Sequence, residues 1–179
     1  MANDRRSSAA TNELVITREL RASRELVWSA WTNARHFARW FGPKDIEVPF
    51  CELEPREGGA LRFCHRFATG EELWVQGVFR EVTAPERLVF SLAFADRAGQ
   101  SAGHPMFPDW PRDATFLTTV TFSELARRGE PRTLLEIRQA ILPAEYAELA
   151  MIRRERQLAR EGWTETLDRL DEHLRGEAR

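Results

Sequence analysis

The chain has 179 residues, 42% of them apolar and 30% charged, with a formal net charge of −2. A chain of this size buries one core without help from metal or disulfides; its composition is that of a globular domain rather than a disordered segment. Its near-neutral charge leaves no basic footprint for nucleic acid, and no apolar run approaches the ~20 residues of a membrane-spanning helix.

Residues 1–12 carry basic residues with no apolar stretch after them, so they are expected to form a disordered tail, not a secretory leader. Residues 13–21, ELVITRELR, put Leu14, Ile16 and Leu20 on one face and predict a first strand. Ser23 then caps a helix that carries Glu25 in its first turn and a stripe of Leu26, Val27, Ala30 and Trp31. Thr32 or Asn33 caps a second short helix through Trp40, and Gly42-Pro43 ends it. Trp28 and Trp31 share a helix face and are expected in the core, whereas Trp40 and Phe41 are expected at the rim of a pocket mouth.

From there to residue 141 the period changes to two. DIEVPFCEL, ALRFCHRF, ELWVQGVFREV, ERLVFSLAF, ATFLTTVTF and RTLLEIRQAI are six predicted strands, and their mostly short connections imply an antiparallel meander. Leu61, Phe63, His65 and Phe67 share one face, as do Leu88, Phe90, Leu92 and Phe94. Around Trp74 the pattern offers two faces, Leu73, Val75 and Phe79 or Trp74, Val78 and Val82, and does not choose between them. The connection at 95–113 is longer than the ~12–15 residues usual for a loop without structure. It holds His104, Met106, Phe107 and Trp110 among prolines, so it reads either as a lid or as a loop folded over the sheet edge.

Pro143 is placed to open a long helix reaching Leu174, with Leu149, Ile152, Ala159, Trp163, Leu167, Leu170 and Leu174 on one side. Arg156 interrupts that row, and Gly162 costs about 1 kcal/mol against alanine in mid-helix, which predicts a close neighbour there. Strand, two short helices, six strands and a long helix make an α+β domain over 13–175, with 176–179 as a tail. A long helix laid across a curved sheet leaves room for a cavity.

The order of these elements, together with ELVWSAWTNARHFARWFGP, EPREGGALRF, VTAPERLVFS, RTLLEIRQ and EGWTETLDRLDEHL, resembles bacterial proteins similar to the C-terminal domain of the activator of the heat-shock-protein-ninety ATPase. That family (AHSA-like) lies within the START-like, helix-grip (SRPBCC) superfamily. The resemblance implies a curved seven-stranded antiparallel sheet gripping the C-terminal helix, with a hydrophobic pocket between them and no shared catalytic motif. It implies no cochaperone activity, because the activator's chaperone function depends on a separate N-terminal domain.

The expected ligand is a small hydrophobic molecule, and the residues expected to meet it are Trp40, Phe41, Phe63, His65, Trp74, Phe90, His104, Met106, Trp110, Phe116, Gln139 and Arg156. His65 and Gln139 are polar groups in apolar rows, and Arg156 needs an acid or a ligand carboxylate as partner. The alternatives are a cyclase- or hydrolase-like enzyme with His65 or His104 as general acid/base, or a chaperone-related interaction module. Cys51, Cys64, His65 and His104 lack the spacing of a metal site, and no nucleophile elbow, phosphate loop or dinucleotide fingerprint occurs. No metal and no cofactor are expected. Cys51 and Cys64 read as reduced thiols of a cytoplasmic protein; a homodimer is left open and a chaperone partner is not expected.

Overall fold

The computed structural model describes residues 13–104, 106–125 and 129–177, and the expected tail at 1–12 lies outside them. Strand β1 (Leu14–Leu20) leads into helices α1 (Arg24–Thr32) and α2 (Ala34–Trp40). Strands β2 (Glu47–Leu53), β3 (Ala60–Arg66), β4 (Glu72–Thr83), β5 (Arg87–Ala95), β6 (Thr115–Leu125) and β7 (Arg132–Leu142) follow, and helix α3 (Ala150–Glu177) closes the fold. The seven strands form one antiparallel sheet in the order β1-β7-β6-β5-β4-β3-β2. The meander therefore runs from β2 to β7, and β1 adds itself beyond its last strand. This is the helix-grip arrangement. No helix among the described residues is long and apolar enough to cross a membrane.

Local chemistry explains the turn from strand to helices. The Ser23 hydroxyl accepts a hydrogen bond from the Leu26 N–H, and the Asn33 side chain accepts from the N–H groups of Arg35 and His36, satisfying donors that a helix start leaves orphaned. Asn33, not Thr32, is the second cap. Gly42 has φ +139°, a conformation that side chains resist, and so turns the chain sharply out of α2.

The two apolar faces that β4 offers are reconciled by a bulge. Val75 and Phe79 point into the core opposite Phe94 and Phe90, and the register shift between Phe79 and Glu81 then lets Val82, three residues on, pack inward as well. Trp74 points outward. It forms a separate small cluster with Cys64 and Ala95, its indole N–H donates to Glu72, and the Arg62 guanidinium lies 4.8 Å from its ring centroid. Cys51 and Cys64 are both free; Cys51 opposes Phe63 and Cys64 opposes Phe50, so adjacent strands hold them on opposite faces.

Pro143 does not open the long helix. Ala144–Glu148 form a 3-10 turn, Leu149 is extended, and α3 starts at Ala150. The Tyr146 hydroxyl donates to the Asp113 carboxylate while Ala147 is buried, which ties this turn to the base of the 95–113 loop. The break releases Leu149 from the apolar row and leaves it exposed. Farther along, Ile152, Leu167, Leu170 and Leu174 are buried against the sheet side of the core, each contributing about 1.5–3 kcal/mol of apolar burial. The helix continues through Glu177, two residues past the expected end of the domain.

Two glycines make opposite predictions. A Cβ on Gly77 would fall 1.6 Å from the Ser91 carbonyl oxygen, so Gly77→Ala should destabilise the protein by about 3 kcal/mol in urea unfolding. The expectation of a tight neighbour at Gly162 is not met: a Cβ there would meet only the Pro43 ring at 3.5 Å, an ordinary contact. Gly162→Ala should therefore stabilise by about 0.5–1 kcal/mol in the same measurement.

Candidate functional site

A cavity of about 220 Å³ lies between the sheet and α3. Its floor comes from one end of five strands: Phe63 and His65 on β3, Leu73 and Val75 on β4, Leu92 and Phe94 on β5, Phe116 on β6 and Gln139 on β7. Alternation along each strand brings these side chains to the same face. The roof is Glu155, Ala159, Gly162, Trp163 and Thr166 of α3, and the Phe41-Gly42-Pro43 turn forms one wall. Ala159 and Gly162 are too short to reach the sheet, which is why space remains beneath that part of the helix.

The wall is held by Arg169. Its guanidinium donates to the carbonyls of Gly42, Pro43 and Ile46 at 2.9–3.0 Å and to that of Arg39 at 3.1 Å. One cation thus gathers carbonyls from the end of α2 and from the turn that follows it. On the far side of the helix, Arg18 of β1 pairs with Asp168 at 2.6 Å, fixing the rotation of α3 over the sheet.

Three polar groups enter this apolar space. His65 lies against Phe63 and Phe41, with ring centroids 5.0 and 5.9 Å away, and its Nε2 is buried without a hydrogen-bond partner. Burial pushes its pKa down to about 4; the polar Phe41 backbone beside it opposes that shift, and the Arg169 charge adds to it. The Gln139 amide donates to the Thr118 hydroxyl at 3.2 Å. Burial raises the Glu155 carboxyl to about 7 against the opposing charge of Arg156.

Of the twelve residues expected from sequence, Phe41, Phe63, His65, Phe116 and Gln139 line the cavity. Arg156 sits beside it, in a narrow cleft shared with Glu155, Gln139 and Phe116, and donates to the Ala147 carbonyl at 3.2 Å. Trp40 is not at the mouth. It is fully buried, its indole N–H donating to the Ala30 carbonyl at 2.9 Å, because the turn after α2 swings Phe41 to the cavity and Trp40 inward. Phe90 lies deeper along β5, edge-on to Phe79, and Trp74 is on the opposite face of the sheet.

The 95–113 loop does not reach the cavity either. His104 and Trp110 are buried against the back of the cavity wall, with His104 4.7 Å and Trp110 5.6 Å from Phe94, and Trp110 5.7 Å from Phe116. Met106 is 63% exposed. His104 Nδ1 accepts from the Met106 N–H, and burial lowers the His104 pKa to about 4. The loop buttresses Phe94 and Phe116 from outside. Sequence reasoning missed Glu155 and Arg169, whose roles come from long-range packing and from distant backbone carbonyls. Trp163 was visible as part of the apolar row, stacked on Trp31 at 6.2 Å.

Relatives share this architecture. The family described as "Activator of Hsp90 ATPase homolog 1-like protein" matches residues 21–175. A protein from Arthrobacter aurescens solved by NMR is 23% identical with a TM-score of 0.74, covering 93% of this chain and 88% of its own. A crystal structure from Nitrosomonas europaea is 23% identical with a TM-score of 0.71, covering 93% and 96%. A Silicibacter pomeroyi protein titled AHSA1 is 20% identical with a TM-score of 0.65, covering 92% and 99%. At these identities the likeness is one of fold. No curated protein matches the sequence.

The buried histidine has a pH signature. Unfolded, His65 takes up its proton near 6.5; folded, near 4. Between those values the unfolded chain binds the proton and the folded chain does not, so stability falls as pH drops from 6.5 to 4 and loses nothing more from this source below 4. The shift amounts to at most about 3 kcal/mol. In urea unfolding across that window, His65→Gln should lose less stability than the wild type as pH falls, by the His65 share; His104 and His173, also lowered by burial, add to the loss in both proteins, and the raised Glu155 carboxyl opposes it.

Proposed function

Because the chain belongs to the family of Activator of Hsp90 ATPase homolog 1-like proteins, we propose that it binds a small hydrophobic molecule between sheet and helix and performs no chemistry of its own. The observation that carries this reading is the cavity itself, a phenylalanine-rich floor into which one unpartnered histidine nitrogen, one amide and one near-neutral carboxyl converge. Mostly apolar walls with a few convergent polar groups are the composition of small-molecule sites.

Size narrows the class. About 220 Å³ lies between the ~150 Å³ that accommodates benzene and the ~300 Å³ at the lower end for drug-sized ligands. The ligand is accordingly a single ring or short acyl chain with one or two polar atoms, which His65 and Glu155 orient. Free Cys51 and Cys64 fit a reducing cytoplasmic setting.

Binding is tested by thermal shift against a panel of monocyclic aromatic and short-chain acids, amines and alcohols, with mass spectrometry of whatever co-purifies. Ala159→Trp fills the roof of the cavity and should weaken any hit at least tenfold while the fold is kept. Equal binding by that variant would remove the cavity as the site. Turnover of a hit that is lost in His65→Gln would favour the enzyme reading instead.

A further inference from the structure

Outside the cavity, α2 and the last turns of α3 bring a second constellation together. His36 Nδ1 lies 3.0 Å from His173 Nε2, with ring centroids 5.2 Å apart and planes inclined at 64°. Glu177 follows His173 by four residues, which places both on one face of the helix, and one ligand atom of each of the three residues lies within 4.8 Å of the others. None of the three lines the cavity.

The backbone beneath this cluster is fixed. Asn33 caps α2 by accepting from the His36 N–H itself, and Leu170 and Leu174, buried on either side of His173, set the rotation of α3 at this level. The two imidazoles are therefore presented from separate, anchored helices and do not meet on a flexible segment.

We propose that His36, His173 and Glu177 bind a divalent transition-metal ion, with zinc as the best match. Zinc–nitrogen bonds of ~2.0–2.1 Å in tetrahedral geometry separate two ligand nitrogens by about 3.3 Å, close to the 3.0 Å already present. Two imidazoles and one carboxylate suit zinc, nickel or copper, whereas magnesium and calcium prefer all-oxygen ligands. Three protein ligands leave a fourth position for water.

Without an ion, one ring nitrogen donates its hydrogen to the other. Binding replaces that hydrogen: the donor ring moves its proton to its far nitrogen, both facing nitrogens offer lone pairs, and no net proton is released. Arg39 opposes a cation near His173 and Glu177 favours one, so the carboxylate supplies the charge balance. The ion would cross-link α2 to the C-terminal end of α3, the two helices that frame the cavity wall and roof.

The test uses the untagged full chain, stripped with EDTA and titrated with zinc chloride by calorimetry and thermal unfolding. One ion per chain is expected, with a rise in Tm of about 5 °C or more at a hundredfold excess over Kd, reversed by EDTA. His36→Ala and His173→Gln should each weaken binding at least tenfold and Glu177→Gln at least threefold, with unchanged circular dichroism. Cys51→Ser/Cys64→Ser should bind as the wild type does. No saturable binding, or binding unaltered by both histidine changes, would overturn the proposal.

Discussion

A straight helix cannot touch a curved sheet everywhere, and the rest of this molecule is organised by where α3 does touch. Its C-terminal half is seated by Leu167, Leu170 and Leu174, all buried. Farther toward its N-terminus, Ala159 and Gly162 present almost no side chain, and the space below them is the cavity. Close packing of protein interiors makes such a gap costly unless something occupies it or the lining residues hold each other open. Here the lining is held: Arg169 fastens the Gly42-Pro43 wall, Arg18 and Asp168 fix the helix rotation, and the 95–113 loop braces Phe94 and Phe116 from behind.

The tryptophan-rich segment after β1 is the hinge of that packing. Trp31 has Phe37, Trp40, Phe41, Phe122 and Trp163 as ring neighbours within 4.9–6.5 Å, so α1, α2, β6 and α3 converge on one indole. Edge-to-face aromatic pairs add stability beyond the area they bury. Because Trp163 and Phe41 belong both to this cluster and to the cavity lining, the solid core and the open site share a boundary. Trp163 thus joins the cavity roof to the cluster that holds both short helices.

Polar groups at this boundary are used in two ways. Arg169 is fully engaged with carbonyls and is structural. His65, Gln139 and Glu155 enter the apolar space with hydrogen-bonding capacity left over, and burial holds His65 neutral and raises the Glu155 carboxyl toward neutrality. Were a small molecule to occupy this space as proposed, these groups would favour one that pairs with them, since a buried donor or acceptor left unpaired costs its desolvation free energy.

Read from residues alone, the strands, the two capped helices and the long amphipathic helix were legible, because period two, period 3.6 and the Ser23 and Asn33 caps are local signals. So was the cavity floor at Phe63, His65, Phe116 and Gln139, since alternation assigns each to the inner face of its strand. The rest was settled by contacts between distant segments. Packing of Val75 into the core turned Trp74 outward and the bulge after Phe79 brought Val82 in, the Gly42 turn put Trp40 inside and Phe41 at the wall, and the 3-10 turn after Pro143 moved the helix start to Ala150. Arg169 and the His36–His173 pair carry no local pattern, because their partners lie more than a hundred residues away along the chain, and Glu155 becomes a buried acid only when the docking of α3 sets it over the sheet. Short-range periodicity records which face a side chain takes; which neighbour it then meets is decided by how whole elements pack.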